Sequence, residues 1–181
     1  MIYVFFADGF EEIEALAPVD FLRRAGVDVR VVGVTGKICT GAHNIKVETD
    51  ILVDEIKLDD ALLGVVLPGG MPGADNLDKS PVVHKAVDYC VENNLIVAAI
   101  CAAPFILGKK GVLKGKNATC FPGFEEYLEG ANVLADGVVT DGNIITAKGA
   151  GVAWEFGAAI NSKATDKTKS DDILRGIQWK K

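Results

Sequence analysis

The chain has 181 residues, 49% of them hydrophobic and 24% charged, with a formal net charge of -6 at neutral pH. That size and balance predict a single globular domain over residues 1–181, with a core that needs no disulfide staples, and exclude a disordered chain. The acid excess (pI ≈ 4.9) argues against a nucleic-acid surface. The basic groups Lys109-Lys110, Lys114 with Lys116, and Lys180-Lys181 read as solvated loops or tails.

The first strand runs from Ile2 to Ala7 and stops at Asp8-Gly9, too short for the apolar part of a targeting leader. No apolar run is long enough to span a bilayer. The four cysteines show neither CxxC nor metal spacing. The expectation is therefore a cytoplasmic protein with reduced thiols and no metal. A helix follows from about Glu11 to Ala25 and stops at Gly26; a second strand covers Val27 to Val34. Thr35 to Asp50 reads as short hairpin strands, and Leu62 to Leu67 as a buried strand ending in Pro68-Gly69-Gly70. Pro81 starts a helix reaching about Asn93. Leu95 to Ile100 is a buried strand that turns at Cys101 into a short helix with Pro104 in its first turn. A strand near Asn117 to Cys120 and a helical turn near Glu125 to Leu128 come next. Val138 to Thr146 forms a hairpin about Asp141-Gly142 or Gly142-Asn143. A helix over Val152 to Asn161 follows Gly149-Ala150-Gly151, and a last one covers Thr168 to Ile177, with Ser170 and two Asp as its start signal.

This alternation predicts an open, mainly parallel sheet with helices on both faces, its site at the carboxyl ends of the strands. Three segments meet there: Asp8 to Glu14, Pro68-Gly69-Gly70, and Cys101. Cys101 at a strand-to-helix turn reads as a nucleophile elbow, its thiolate favoured by the helix N-terminus. The competing reading is a small buried hydrophobe at a strand end. On a 3.6-residue period Glu14 shares its face with Phe10, Ala17 and Phe21, whereas Glu11 lies toward the flank and Glu12 well off the stripe. A carboxyl group on a buried face has a raised pKa and can donate a hydrogen bond to sulfur or exchange protons. Its alternative role is to satisfy backbone N–H groups at the helix start.

The Gly69-Gly70 pair lets the backbone approach a ligand, and with the Ala102 N–H it can form an oxyanion hole, although it also suits a plain turn. Gly149 and Ala150 precede a helix and suit either an anion or close packing, with no GxGxxG fingerprint. His43 is a loop candidate for the pocket; His84 lies on a helix as a surface or half-buried residue. With Ala102 after Cys101 and only two histidines in the chain, a cysteine peptidase or amidotransferase is the weaker enzyme reading. On the first helix, Leu16 with Val19 or Leu22 is either a dimer surface or a core face.

Together these residues resemble the DJ-1/ThiJ/PfpI superfamily, specifically its DJ-1 branch. The resemblance is carried by Asp8 to Glu14, Pro18-Val19-Asp20, Arg23 to Gly26, Leu67 to Gly70, Gly73-Ala74, Ala98 to Pro104 and Gly149 to Phe156. It implies a flavodoxin-like three-layer α/β sandwich and a homodimer. Cys101 takes the place of the family cysteine, Glu14 that of its protonated partner, and Gly70 and Ala102 those of the backbone donors. It implies either a cofactor-independent glyoxalase or deglycase acting on methylglyoxal and related aldehydes, or a peroxide-sensing thiol that becomes a sulfinate. Phe121 stands where the better-known members carry a pocket histidine, and His43 aligns loosely with a pocket arginine. Ala103 and Ala150 replace a glycine and a proline. Cys120 is additional, either a resolving thiol for oxidised Cys101 or a packed strand residue; Cys39 and Cys90 read as bystanders.

Overall fold

The computed structural model describes residues 1–179, so the Lys180-Lys181 tail lies outside the described residues. β1 (Ile2–Phe6) leads into α1 (Glu12–Arg24), β2 (Val29–Gly33), β3 (Ile38–Thr40), β4 (Lys46–Glu48) and β5 (Ile51–Leu52). Then come β6 (Gly64–Leu67), α2 (Gly73–Asp78), α3 (Pro81–Glu92), β7 (Ile96–Ile100) and α4 (Pro104–Lys109). The remainder is β8 (Asn117–Ala118), β9 (Asn132–Val133), β10 (Val138–Asp141), β11 (Ile144–Ala147), α5 (Ala153–Ala164) and α6 (Lys167–Gly176).

Seven strands form one sheet in the order β10-β11-β7-β6-β1-β2-β5. Every pairing is parallel except β10 with β11. From β1 the chain builds outward to β2 and β5, then crosses back to β6 on the other side of β1. The order therefore reverses between β1 and β6, which opens a crevice at their carboxyl ends.

Alternation along β1 divides the core into two layers. Ile2, Val4 and Phe6 pack with Ala15, Val19 and Leu22 of α1 and Phe156 and Ile160 of α5. Tyr3 and Phe5 join Val83 and Val87 of α3 and Ile106 of α4 on the other face. This is the flavodoxin-like three-layer sandwich. α1 stops as its sequence predicts: Gly26 takes φ +74°, its N–H donates to Arg23 O at 3.0 Å, and the Val27 N–H donates to Leu22 O at 3.0 Å. That is a Schellman motif, which only glycine enters without strain.

Three expectations are corrected, and one open alternative is resolved. The strand near Asn117 to Cys120 ends at Ala118 and pairs with β9 in a separate two-stranded sheet. α6 starts earlier, because the Asp166 side chain caps it by accepting the Lys169 N–H at 2.8 Å. Ser170 is instead buried, its hydroxyl donating to Ala158 O at 3.1 Å and accepting from Asn161 Nδ2 at 2.9 Å. Val19 and Leu22 enter the core, so the exposed apolar residues of α1 are Ile13 and Leu16.

Candidate active site

β7 runs into Cys101, which takes φ +63°, a left-handed conformation costly for any residue with a β-carbon. Both of its backbone groups are fixed there. The Cys101 N–H donates to Ala147 O at 2.8 Å, and its carbonyl accepts the Phe121 N–H at 2.8 Å. The sharp turn leaves the thiol half-buried at the end of the sheet rather than in the core.

α1 brings Glu14 to the same place. Its carboxyl is 1% exposed. Oε2 accepts the Gly69 N–H at 3.1 Å, and the group faces the Cys101 sulfur and the Ala150 N–H. Gly69 makes this approach possible: a β-carbon there would lie 2.5 Å from Glu14 Oε2 and 2.6 Å from Cys101 Cβ. The N–H groups of Ala102 and Gly70 lie close enough to the sulfur to favour its charged form. Gly70 adopts φ +84°, and a β-carbon on it would collide with the Glu11 nitrogen.

Burial pushes Glu14 up to about 7; the Glu11 charge adds to this, against hydrogen bonds from Cys101, Gly69 and Ala150. Burial also pushes the Cys101 thiol up to about 12, helped by the charge and hydrogen bond of Glu14 and opposed by the Ala102 and Gly70 N–H groups. The two titrate as a pair. One proton leaves near neutrality and the second far above it, so the pair holds a single proton in between. Burial and the Glu14 charge therefore oppose the thiolate that the helix N-terminus was expected to favour. α4 begins only at Pro104 and has six residues, too little dipole to outweigh burial beside a carboxylate. A thiolate forms when Glu14 carries the shared proton.

The other candidate residues separate into two groups. Gly149 and Ala150 border Glu14, and the 46%-exposed ring of Phe121 stands beyond Gly149. Cys120 is buried in the α3–α4 layer, on the opposite side of the sheet from Glu14, its thiol pushed up to about 11 by burial and then by Glu125. Cys39 and Cys90 are buried too. His84 bonds the Asp78 carbonyl at 2.6 Å.

His43 faces Glu12 rather than the thiol. Its Nδ1 lies 2.8 Å from Glu12 Oε2, and its backbone N–H donates to Glu12 Oε1 at 2.8 Å. Glu12, placed off the apolar stripe by periodicity, is only 3% exposed because the β3–β4 hairpin folds over it. Burial works to raise the Glu12 carboxyl, but hydrogen bonds led by the His43 ring hold it below its usual value. The Glu12 hydrogen bond raises His43, helped by the charges of Glu11 and Glu12. Glu11, Glu12 and His43 bring metal-capable atoms within 4.8 Å of one another. They sit at the positive end of α1, with Glu12 already bound to His43, which disfavours a cation.

Glu12→Ala is expected to cost roughly 1–3 kcal/mol by leaving the His43 and Ile45 N–H groups without their acceptor. The lowered carboxyl contributes stability above its unfolded value of 4.5, lost as pH falls through the folded value. The raised imidazole contributes below its unfolded value of 6.5, lost as pH rises through the folded value. Thermal melts from acid to alkaline pH should show the wild-type advantage largest between these limits.

The fold and this pair define a flavodoxin-like α/β protein with a cysteine elbow opposed by a buried carboxyl. The chain belongs to the DJ-1/PfpI family, whose model matches residues 1–163. Protein dj-1beta of Drosophila melanogaster is 34% identical over 177 residues, covering 96% of this chain and 94% of that one. Its crystal structure superposes with a TM-score of 0.93 over 99% of this chain and 98% of the other, at 33% identity. The structure titled Toxoplasma gondii DJ-1, oxidized, gives 0.94 at 27% identity over 99% of this chain and 98% of that one. A Caenorhabditis elegans relative named glutathione-independent glyoxalase DJR-1.2 is 28% identical over 169 residues, 92% of this chain and 89% of its own length.

Proposed function

We propose that this chain is a cofactor-independent enzyme of small α-oxoaldehydes, converting methylglyoxal and related compounds to 2-hydroxy acids through Cys101. The observation that carries the reading is the buried Glu14 carboxyl brought against the Cys101 elbow across the bare Gly69 backbone. Burial pushes Glu14 up to about 7. That value suits a group that must both give and take a proton.

The Cys101 thiolate adds to the aldehyde carbon: the S–C bond forms, the C=O π bond opens, and the oxygen takes the Glu14 proton. The resulting hemithioacetal loses its C1 proton to the Glu14 carboxylate, and with transfer of the C1 hydroxyl proton to the C2 oxygen it becomes an enediolate with its charge on the C1 oxygen. Return of the proton held by Glu14 to C2 of the enediolate gives a 2-hydroxy thioester, which water hydrolyses to the hydroxy acid and free Cys101. Aldehyde and one water are consumed, with no external oxidant. The Gly70 and Ala102 N–H groups lie close to the sulfur and are suited to holding the oxyanion. Removal of methylglyoxal from glycated amines would begin from the same adduct. The Caenorhabditis relative's name supports this class of substrate, and Glu14 opposite Cys101 favours it over a Cys–His peptidase. A second copy of the chain fits the outer face of α1, where Ile13 and Leu16 border an apolar hollow with Trp154.

A second reading draws on the same geometry. Peroxide would oxidise Cys101 to sulfenate and then sulfinate, with Glu14 and the two backbone N–H groups hydrogen-bonding the product. The oxidized form of the Toxoplasma gondii relative supports it. Methylglyoxal turnover without glutathione separates the two. Wild type is expected to turn over, and Cys101→Ser to lose activity by roughly 10³-fold or more. No turnover in wild type, with a gain of two oxygens confined to Cys101 under peroxide, would leave the sensor reading alone.

A further inference from the structure

Next to the reactive pair an open cleft of ≈ 410 Å³ is walled by Phe121, Pro122, Lys148, the Gly149-Ala150-Gly151 run and Val152. That volume lies within the roughly 300–1,000 Å³ of small-molecule pockets. Lys148 is the one charged residue in the wall, and its ammonium donates to Ala135 O at 2.9 Å, which leaves the apolar stem for the cleft. Phe121 is tied to the elbow by its N–H on the Cys101 carbonyl, while its ring stays exposed.

Gly149 connects the cleft to the chemistry. A β-carbon on it would stand 3.4 Å from the Phe121 ring and 3.7 Å from Glu14 Oε1. Gly149 thus stands between the Phe121 ring and the Glu14 carboxyl, and any side chain there would touch both. An adduct on Cys101, with its oxygen toward the backbone N–H groups and C1 toward Glu14, has one remaining substituent to place. The apolar space that borders the pair through Gly149 and Phe121 is this cleft.

We propose that the cleft receives the non-reacting substituent of the oxoaldehyde, with Phe121 as a specificity-determining residue. The chain then acts on arylglyoxals in preference to methylglyoxal. The inference rests on the oxoaldehyde reading above. An aryl group leaves water for the Phe121 face and the Val152 side chain, a gain that a methyl group is too small to collect. A polyhydroxylated substituent would shed water against a wall with few polar partners and is disfavoured.

The test compares kcat/KM for phenylglyoxal and methylglyoxal in wild type, Phe121→Ala and Phe121→His, with far-ultraviolet circular dichroism as the folding check. Alkylation of Cys101 by iodoacetamide and by its N-benzyl analogue supplies a readout independent of turnover. Wild type is expected to favour phenylglyoxal by about tenfold or more. Phe121→Ala should lose most of that ratio through the KM for phenylglyoxal, and Phe121→His part of it. The benzyl reagent should lose its advantage in the same order. Cys101-dependent turnover with equal kcat/KM for both aldehydes, unchanged by Phe121→Ala, would overturn the inference and leave the oxoaldehyde reading intact. Absence of turnover on either aldehyde would overturn that reading, and the arylglyoxal assignment with it.

Discussion

Glu14→Gln is expected to lower oxoaldehyde turnover by about 10²–10⁴-fold while leaving Cys101 in place. Glutamine nearly matches the shape of the carboxyl and can still accept the Gly69 N–H bond. It cannot exchange the proton that must move from C1 to C2. The pH profile gives the sharper signature. In wild type the pair reaches its single-proton state as Glu14 titrates near 7, so kcat/KM should rise through that region. The variant should lack that limb. Stability gives an independent check. Unfolded Glu14 releases its proton near 4.5 and folded Glu14 only at about 7. Between those values the folded state binds more protons, so wild-type stability falls as pH rises through the window. The Glu14→Gln difference should therefore move in favour of the variant from acid to neutral pH. A flat difference across that range, or turnover equal to wild type, would remove Glu14 from its assigned role.

Gly69→Ala should reduce turnover on the order of 10²-fold with much smaller effects on folding. Gly69 does not occupy the left-handed region, so alanine meets no backbone penalty. The obstacle is space, since its methyl would lie 2.5 Å from Glu14 Oε2, 2.6 Å from Cys101 Cβ and 3.0 Å from Ile100 O. The carboxyl must swing away or the elbow must move, and either separates the two groups that share a proton. An ultraviolet titration of the Cys101 thiolate, run beside the kinetics, should register the separation as a changed pKa. Unchanged kinetics and titration in a folded variant would show that the close approach at Gly69 is not what couples the pair.

Much of this was legible in the sequence. Continuous apolar runs gave β6 and β7, Gly26 marked the end of α1, and helical periodicity placed Glu14 on an inward face. Features that depend on distant chain were not legible. Glu12 is buried by a hairpin that begins 26 residues later, at Ile38, which no local period reports. α2 begins at Gly73 and contains few strong helix formers; Ala74 N–H on Gly70 O and Asn76 on Asp8 O hold it in place. At α6, Ser170 followed by two Asp imitated a start signal, but its hydroxyl is used against α5 and the cap falls to Asp166. The Cys101 turn was readable from strand and proline, whereas the sign of its pKa shift was not. Local pattern suggests a helix dipole; burial opposite a carboxyl is a tertiary fact.

The most direct test of the account is the lactate formed from methylglyoxal in heavy water by wild type and Cys101→Ser, analysed for enantiomer and for carbon-bound deuterium. One enantiomer is expected from wild type, with solvent deuterium at C2 delivered through the exchangeable Glu14 proton, and no lactate above background from Cys101→Ser. Racemic lactate formed at the same rate by both proteins would contradict it.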